Sequence, residues 1–126
     1  MKIALWIVQI LLALFFLGAG FSKAFSPLAD LGAQMVWVND VSAFFVRFPG
    51  IVEILGAIGL ILPAATRIQP RLTPLAAGGL MLITLFATIF HLTRGEFGNA
   101  VFTLVLLALA GFVAYGRWKL APIAPR

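Results

Sequence analysis

Residues 42–65 read SAFFVRFPGIVEILGAIGLILPAA, an apolar run interrupted by only two ionisable side chains, Arg47 and Glu53. A helix that crosses the hydrocarbon core of a bilayer needs about 20 mostly apolar residues, with a range of roughly 17–25. This run meets that length, and it places a carboxyl inside the span. A charge in hydrocarbon is costly, so Glu53 must be paired, hydrated or protonated. Its side chain is too short to reach far toward the headgroups. Pro49 and Gly50 lie about one turn before it, and Gly56 and Ala57 one turn after. Small residues let a second helix approach closely. Pro49 is expected to kink the helix and to free backbone groups that a nearby polar site would satisfy.

Three further runs of the same kind lie at 3–24, 74–92 and 99–116. The 126-residue chain is 63% hydrophobic and 10% charged. A soluble domain is about 45–50% apolar and about 25% charged. A small soluble core cannot hide that surplus, so it must face lipid. The expected fold is all-α: a four-helix transmembrane bundle forming a single domain over residues 1–126. Between the first two spans, Ser26-Pro27 reads as an N-cap followed by proline at the first helical position. Leu28, Leu31 and Met35 then share a face, which predicts a short interfacial helix. Trp6, Trp37, Tyr115 and Trp118 suit the headgroup level. Lys2, the apolar run after it and Gly18-Ala19-Gly20 have the outline of a secretory leader. The run is longer than a leader's apolar region, however, and removing it would leave three spans; it reads as the first span.

Basic residues set the orientation. One end of the bundle would carry Lys2, Arg67, Arg71, Arg117, Lys119 and Arg126 and no acid. The other would carry Lys23, Arg47 and Arg94 with Asp30, Asp40 and Glu96. The positive-inside rule then predicts a bacterial inner-membrane protein with both termini cytoplasmic. The basic residues are scattered over segment ends and form no stripe. They point to topology and anionic lipid, and not to nucleic acid.

The chemistry-bearing residues fall toward one end. At about 1.5 Å of rise per residue, Lys23 and His91 come near the outer edge of their spans. Glu53 lies about a third of the way in from that side of a core about 30 Å thick. Arg47 sits above it, and Asn99 opens the fourth span. Gln9, Ala13, Phe16, Gly20 and Lys23 form one helical face, and Thr84, Ala87, Thr88 and His91 another. Lys23, Arg47, Glu53, His91 and Asn99 are therefore the candidate ligand-binding cluster, with Lys23 or Arg47 as the partner of Glu53. Each has a plainer reading. Lys23 and Arg47 can snorkel to the headgroups. His91 reads as an interfacial or capping histidine, and Thr84 and Thr88 can bond back to their own helix.

Other chemistry is excluded. With no cysteine and one histidine, the chain cannot build a standard zinc site, a disulfide or a haem ligated by two histidines, and no metal is expected. It has no P-loop and no dinucleotide fingerprint. Four short spans without paired broken helices do not suit alternating access.

The residues resemble those of the DoxX-like family of small four-span bacterial membrane proteins. The resemblance runs through Gly20-Phe21-Ser22-Lys23, then Arg47, Gly50, Glu53, Gly56-Ala57, Gly59-Leu60 and Pro63. It continues through Leu72-Thr73-Pro74-Leu75-Ala76-Ala77 and closes on His91. It implies a four-helix transmembrane bundle. The family name comes from a small subunit of a membrane sulfur-compound:quinone oxidoreductase, and relatives are linked to redox complexes and to membrane-protein assembly. The expectation is an accessory or ligand-binding subunit of a quinone-linked redox complex, holding a quinone or a lipid headgroup for a partner enzyme. The alternatives are an enzyme using Glu53 for proton transfer and an assembly scaffold in which the cluster only fixes the bundle.

Overall fold

The structure is a computed structural model that describes residues 1–126. It contains five α-helices: α1 (Lys2–Phe25), α2 (Leu28–Gln34), α3 (Ala43–Thr66), α4 (Leu72–Thr93) and α5 (Phe97–Tyr115). A 3₁₀ segment, Val36–Asp40, follows α2, and a π-helical turn, Gly116–Leu120, extends α5. The helices α1, α3, α4 and α5 are long and apolar enough to cross a membrane. The expected spans are all present, each displaced by only a few residues at its ends.

The short helix expected between the first two spans is α2, but its start differs from the prediction. Pro27 occupies the N-cap position and the Ser26 side chain makes no capping bond; the Ser26 amide instead continues α1 by donating to the Ser22 carbonyl. Met35 lies beyond the end of α2. At α3 the cap is a side chain: Ser42 accepts from the Phe45 amide. The turn out of α3 is tight, and Arg67 (φ 59°) and Gln69 (φ 51°) both take left-handed backbone. That conformation costs a non-glycine residue roughly 1–2 kcal/mol. The Arg67 carbonyl is held there by the Arg126 amide.

The bundle core is a layer of Leu12, Phe16, Leu60, Leu80, Ala110 and Val113. Ile3, Leu14, Leu55, Leu82 and Leu104 point outward and remain exposed, as a lipid-facing surface requires. Helix α1 packs along α3, α4 packs on both α3 and α5, and α1 meets α5 over a shorter stretch. There Phe15 and Phe102 meet edge to face. The α1–α3 crossing is a backbone contact. A Cβ on Gly20 would sit 2.6 Å from the Gly50 carbonyl oxygen, and one on Gly50 would sit 2.8 Å from that of Gly20. No larger residue fits without moving a helix, and this crossing sets Lys23 beside Glu53.

Pro49 and Pro63 both lie inside α3. Each lacks the N–H that a carbonyl four residues earlier would accept. For Pro63 that carbonyl belongs to Gly59, and the Thr73 hydroxyl of α4 donates to it at 3.0 Å. The expectation that a polar side chain would serve the carbonyl freed by Pro49 is not met: the side chains of the Lys23–Glu53 cluster bond only one another.

Candidate functional site

At the end of the bundle away from both termini, the four spans surround a cavity of about 670 Å³. Its walls are mainly aromatic, with Phe15, Phe16, Phe45, Phe90 and Phe102 among them. Trp37 roofs it from the 3₁₀ segment. The polar groups on its lining are Lys23, Gln34, Glu53, His91, Glu96, Asn99 and two threonines, Thr84 and Thr103.

Lys23 and Glu53 form an ion pair across the α1–α3 crossing. The lysine Nζ donates to both carboxylate oxygens, at 2.8 and 3.2 Å. Glu53 is 3% exposed and Lys23 20%, so the acid is sealed while the cation keeps an outlet. The pairing offsets part of the cost of an intramembrane carboxylate.

Arg47 departs from the expected cluster. Its guanidinium turns away from Glu53 and donates to the backbone carbonyls of Lys23 and Ser26. Those carbonyls are at the C-terminal end of α1, where acceptors lack helical donors and a cation meets the negative end of the dipole. Arg47 therefore caps α1 and is not among the residues lining the cavity.

His91 is buried and its Nδ1 lies 2.8 Å from Glu96 Oε1. Glu96 also meets Arg94 Nε at 3.3 Å, and Arg94 Nη2 donates to Asp40 Oδ2 at 2.6 Å. The chain His91–Glu96–Arg94–Asp40 thus ties the α4–α5 turn to the 3₁₀ segment that carries Trp37. The hydrogen bond with His91, aided by Arg94, holds the Glu96 carboxyl below its ordinary range. The glutamate accepts, so Nδ1 carries the proton and Nε2 is left without a partner in the protein. The Asn99 side chain likewise makes no hydrogen bond in the protein. Thr84 and Thr88 bond back to the carbonyls of Leu80 and Thr84, and Thr88 also meets Thr103 at 2.7 Å.

Trp37 departs from the headgroup role expected of it. It is buried with Leu31, Val38 and Val46, and its ring meets Phe90 and His91 edge-on. It is a lid over the aromatic cavity.

A second buried polar cluster, at the termini end, was not anticipated. Gln9 is fully buried; its Nε2 donates to the Leu60 carbonyl at 2.7 Å, and its Oε1 accepts from Arg117 Nε at 2.6 Å. Arg117 is itself 4% exposed, and so differs from the surface cation expected among the topology-setting basic residues. The signal in the sequence is Gln9, an amide inside α1 that needs a partner in hydrocarbon.

Four membrane-crossing helices around a polar, aromatic-walled cavity define a small multi-pass membrane protein. The model of the DoxX-like family matches residues 7–113, and the chain belongs to that family. No curated protein and no solved structure matches it.

Proposed function

We propose that the cavity holds a quinone or a similarly flat amphipathic molecule, and that the protein serves as an accessory subunit to a membrane redox enzyme. The supporting observation is the composition of the cavity wall. Aromatic faces suit a flat apolar ring, and the unpartnered His91 Nε2 and Asn99 amide can hydrogen-bond its oxygens. Ligand pockets typically combine such apolar walls with few convergent polar groups. With no cysteine and one histidine, the chain carries no standard ligand set for an iron–sulfur cluster or a haem with two histidine ligands. Electrons would then come from a partner. We further propose that the termini end faces the cytoplasm of a bacterial inner membrane, a reading supported by the basic residues gathered there without an acid. Reporter fusions after Arg126 test that assignment, and periplasmic activity there refutes it.

The test of the ligand uses purified protein in nanodiscs titrated with decylubiquinone, read by thermal stability and tryptophan fluorescence. Saturable binding weakened in Asn99→Leu and His91→Leu supports the proposal. Absence of binding in the wild-type protein, with no quinone extracted from the purified material, removes it. The assembly-scaffold reading draws on a different observation: the Lys23–Glu53 pair sits on the closest helix crossing, where it fixes α1 against α3. A stable pull-down partner without quinone binding would favour that reading.

A further inference from the structure

A second cavity, of about 620 Å³, lies at the termini end between the α3–α4 turn and the C-terminal segment. Its lining includes Arg67, Arg71, Arg117 and Arg126, and no acid. None of these arginines takes part in an ion pair. The four acids of the chain, Asp30, Asp40, Glu53 and Glu96, all belong to the other half.

The site is built. Arg67 Nε donates to the Ala124 carbonyl at 2.8 Å and the Arg126 amide to the Arg67 carbonyl at 2.9 Å, which fastens residues 122–126 along the cavity. Arg117 is held by Gln9 Oε1, by the Ala121 carbonyl at 3.0 Å and by the face of Trp6. Its third nitrogen, Nη2, is buried with no partner. A buried, charged donor left unsatisfied is costly and calls for an acceptor. The N-terminus of α4 opens beside it, adding the positive end of a helix dipole.

We propose that this cavity binds the phosphate of an anionic phospholipid headgroup. Guanidinium forks match phosphate oxygens in geometry and charge. The cavity is at the end of the spans, at headgroup depth, and is far larger than one phosphate ion. Basic pockets among transmembrane helices hold such headgroups. This assignment is independent of the quinone reading, since the two cavities share no lining residue.

The experiment is native mass spectrometry of the full chain released from detergent with phosphatidylglycerol or phosphatidylcholine, with thermal shifts in inorganic phosphate as a second arm. Retention of phosphatidylglycerol over phosphatidylcholine is expected. Arg71→Gln should weaken it roughly fivefold, and Arg67→Gln with Arg71→Gln further. Both side chains are exposed, and Arg71 makes no hydrogen bond through its side chain, so that variant should fold. Lys119→Gln, on the same end but outside the cavity, should change little. Stabilisation by inorganic phosphate without lipid preference would keep the phosphate site but reassign its source to free phosphate. Equal losses in Lys119→Gln and Arg71→Gln, or no preference and no phosphate effect, would overturn the site.

Discussion

The two ends of the bundle solve the same problem differently. Each holds a cation against acceptor oxygens, at least one of them contributed by another helix. At the cavity roofed by Trp37, Lys23 meets a carboxylate, so the pair is neutral and complete. At the termini end, Arg117 meets only neutral oxygens, those of Gln9 and Ala121, and the face of Trp6. At the first end the charged groups on the cavity wall are paired, Lys23 with Glu53 and Glu96 with Arg94, and the side chains left without a partner there include neutral Asn99. The second keeps uncompensated positive charge and is matched to an anion. All four acids lie in one half of the chain's architecture, so the two ends differ in the charge they offer.

The largest effect should come from breaking the compensated pair. Glu53→Ala leaves Lys23 beside the core without its partner. Breaking a buried pair costs about 3–5 kcal/mol, and the partial exposure of Lys23 puts this case near the lower figure. Lys23→Ala added to Glu53→Ala should recover part of the loss. Arg47→Ala added to Glu53→Ala should be additive, because Arg47 bonds the end of α1 and not the acid. Thermal unfolding of the wild-type protein, the three single variants and the two double variants in one detergent gives both cycles. Additivity in the lysine cycle would mean that the pair is not energetically coupled.

The uncompensated end should respond less. Gln9→Leu removes an acceptor from Arg117 and a donor from the Leu60 carbonyl while keeping the volume apolar. A buried group left without its partner costs about 1–3 kcal/mol. The loss should shrink in anionic lipid if a phosphate oxygen takes the place of the amide. Equal melting shifts in phosphatidylcholine and phosphatidylglycerol nanodiscs would show that no anion reaches Arg117 in the variant.

The architecture was readable because apolar runs of fixed length have one solution in a bilayer. The Lys23–Glu53 pair was readable for a related reason, since a mid-span carboxyl needs a cation and only two were near. Choosing Lys23 over Arg47 required the Gly20–Gly50 crossing, a contact between distant positions that spacing on one helix does not encode. Trp37 was misplaced because a tryptophan near a span end looks the same whether it faces headgroups or folds inward; the 3₁₀ turn after α2 decides it. Ending the fourth span at residue 116 makes Arg117 look like a surface cation. The π-helical turn carries the chain onward and swings that guanidinium under Gln9.

The smallest effect expected is a pH dependence at the roof of the aromatic cavity. Glu96 is exposed to screening, but the hydrogen bond with His91, and after it the charge of Arg94, favours its ionised form in the folded protein. A carboxyl whose folded value lies below its unfolded one binds fewer protons when folded. It therefore adds stability above the ordinary carboxylate value of 4.5, and that contribution disappears as the pH falls through the lower folded value. On the acid side the link from the α4–α5 turn through Arg94 to Asp40 should loosen, and Trp37 with it. Tryptophan emission of a variant retaining only Trp37 should shift toward that of a water-exposed indole as the pH drops through this window. Glu96→Gln should show the shifted emission already at neutral pH and a flat profile below it. Added salt should reduce the amplitude, because pairs at the surface are screened. An unchanged emission in Glu96→Gln would show that Trp37 is held by its packing against Leu31, Val46 and Phe90 alone, with no contribution from the charged chain that reaches His91.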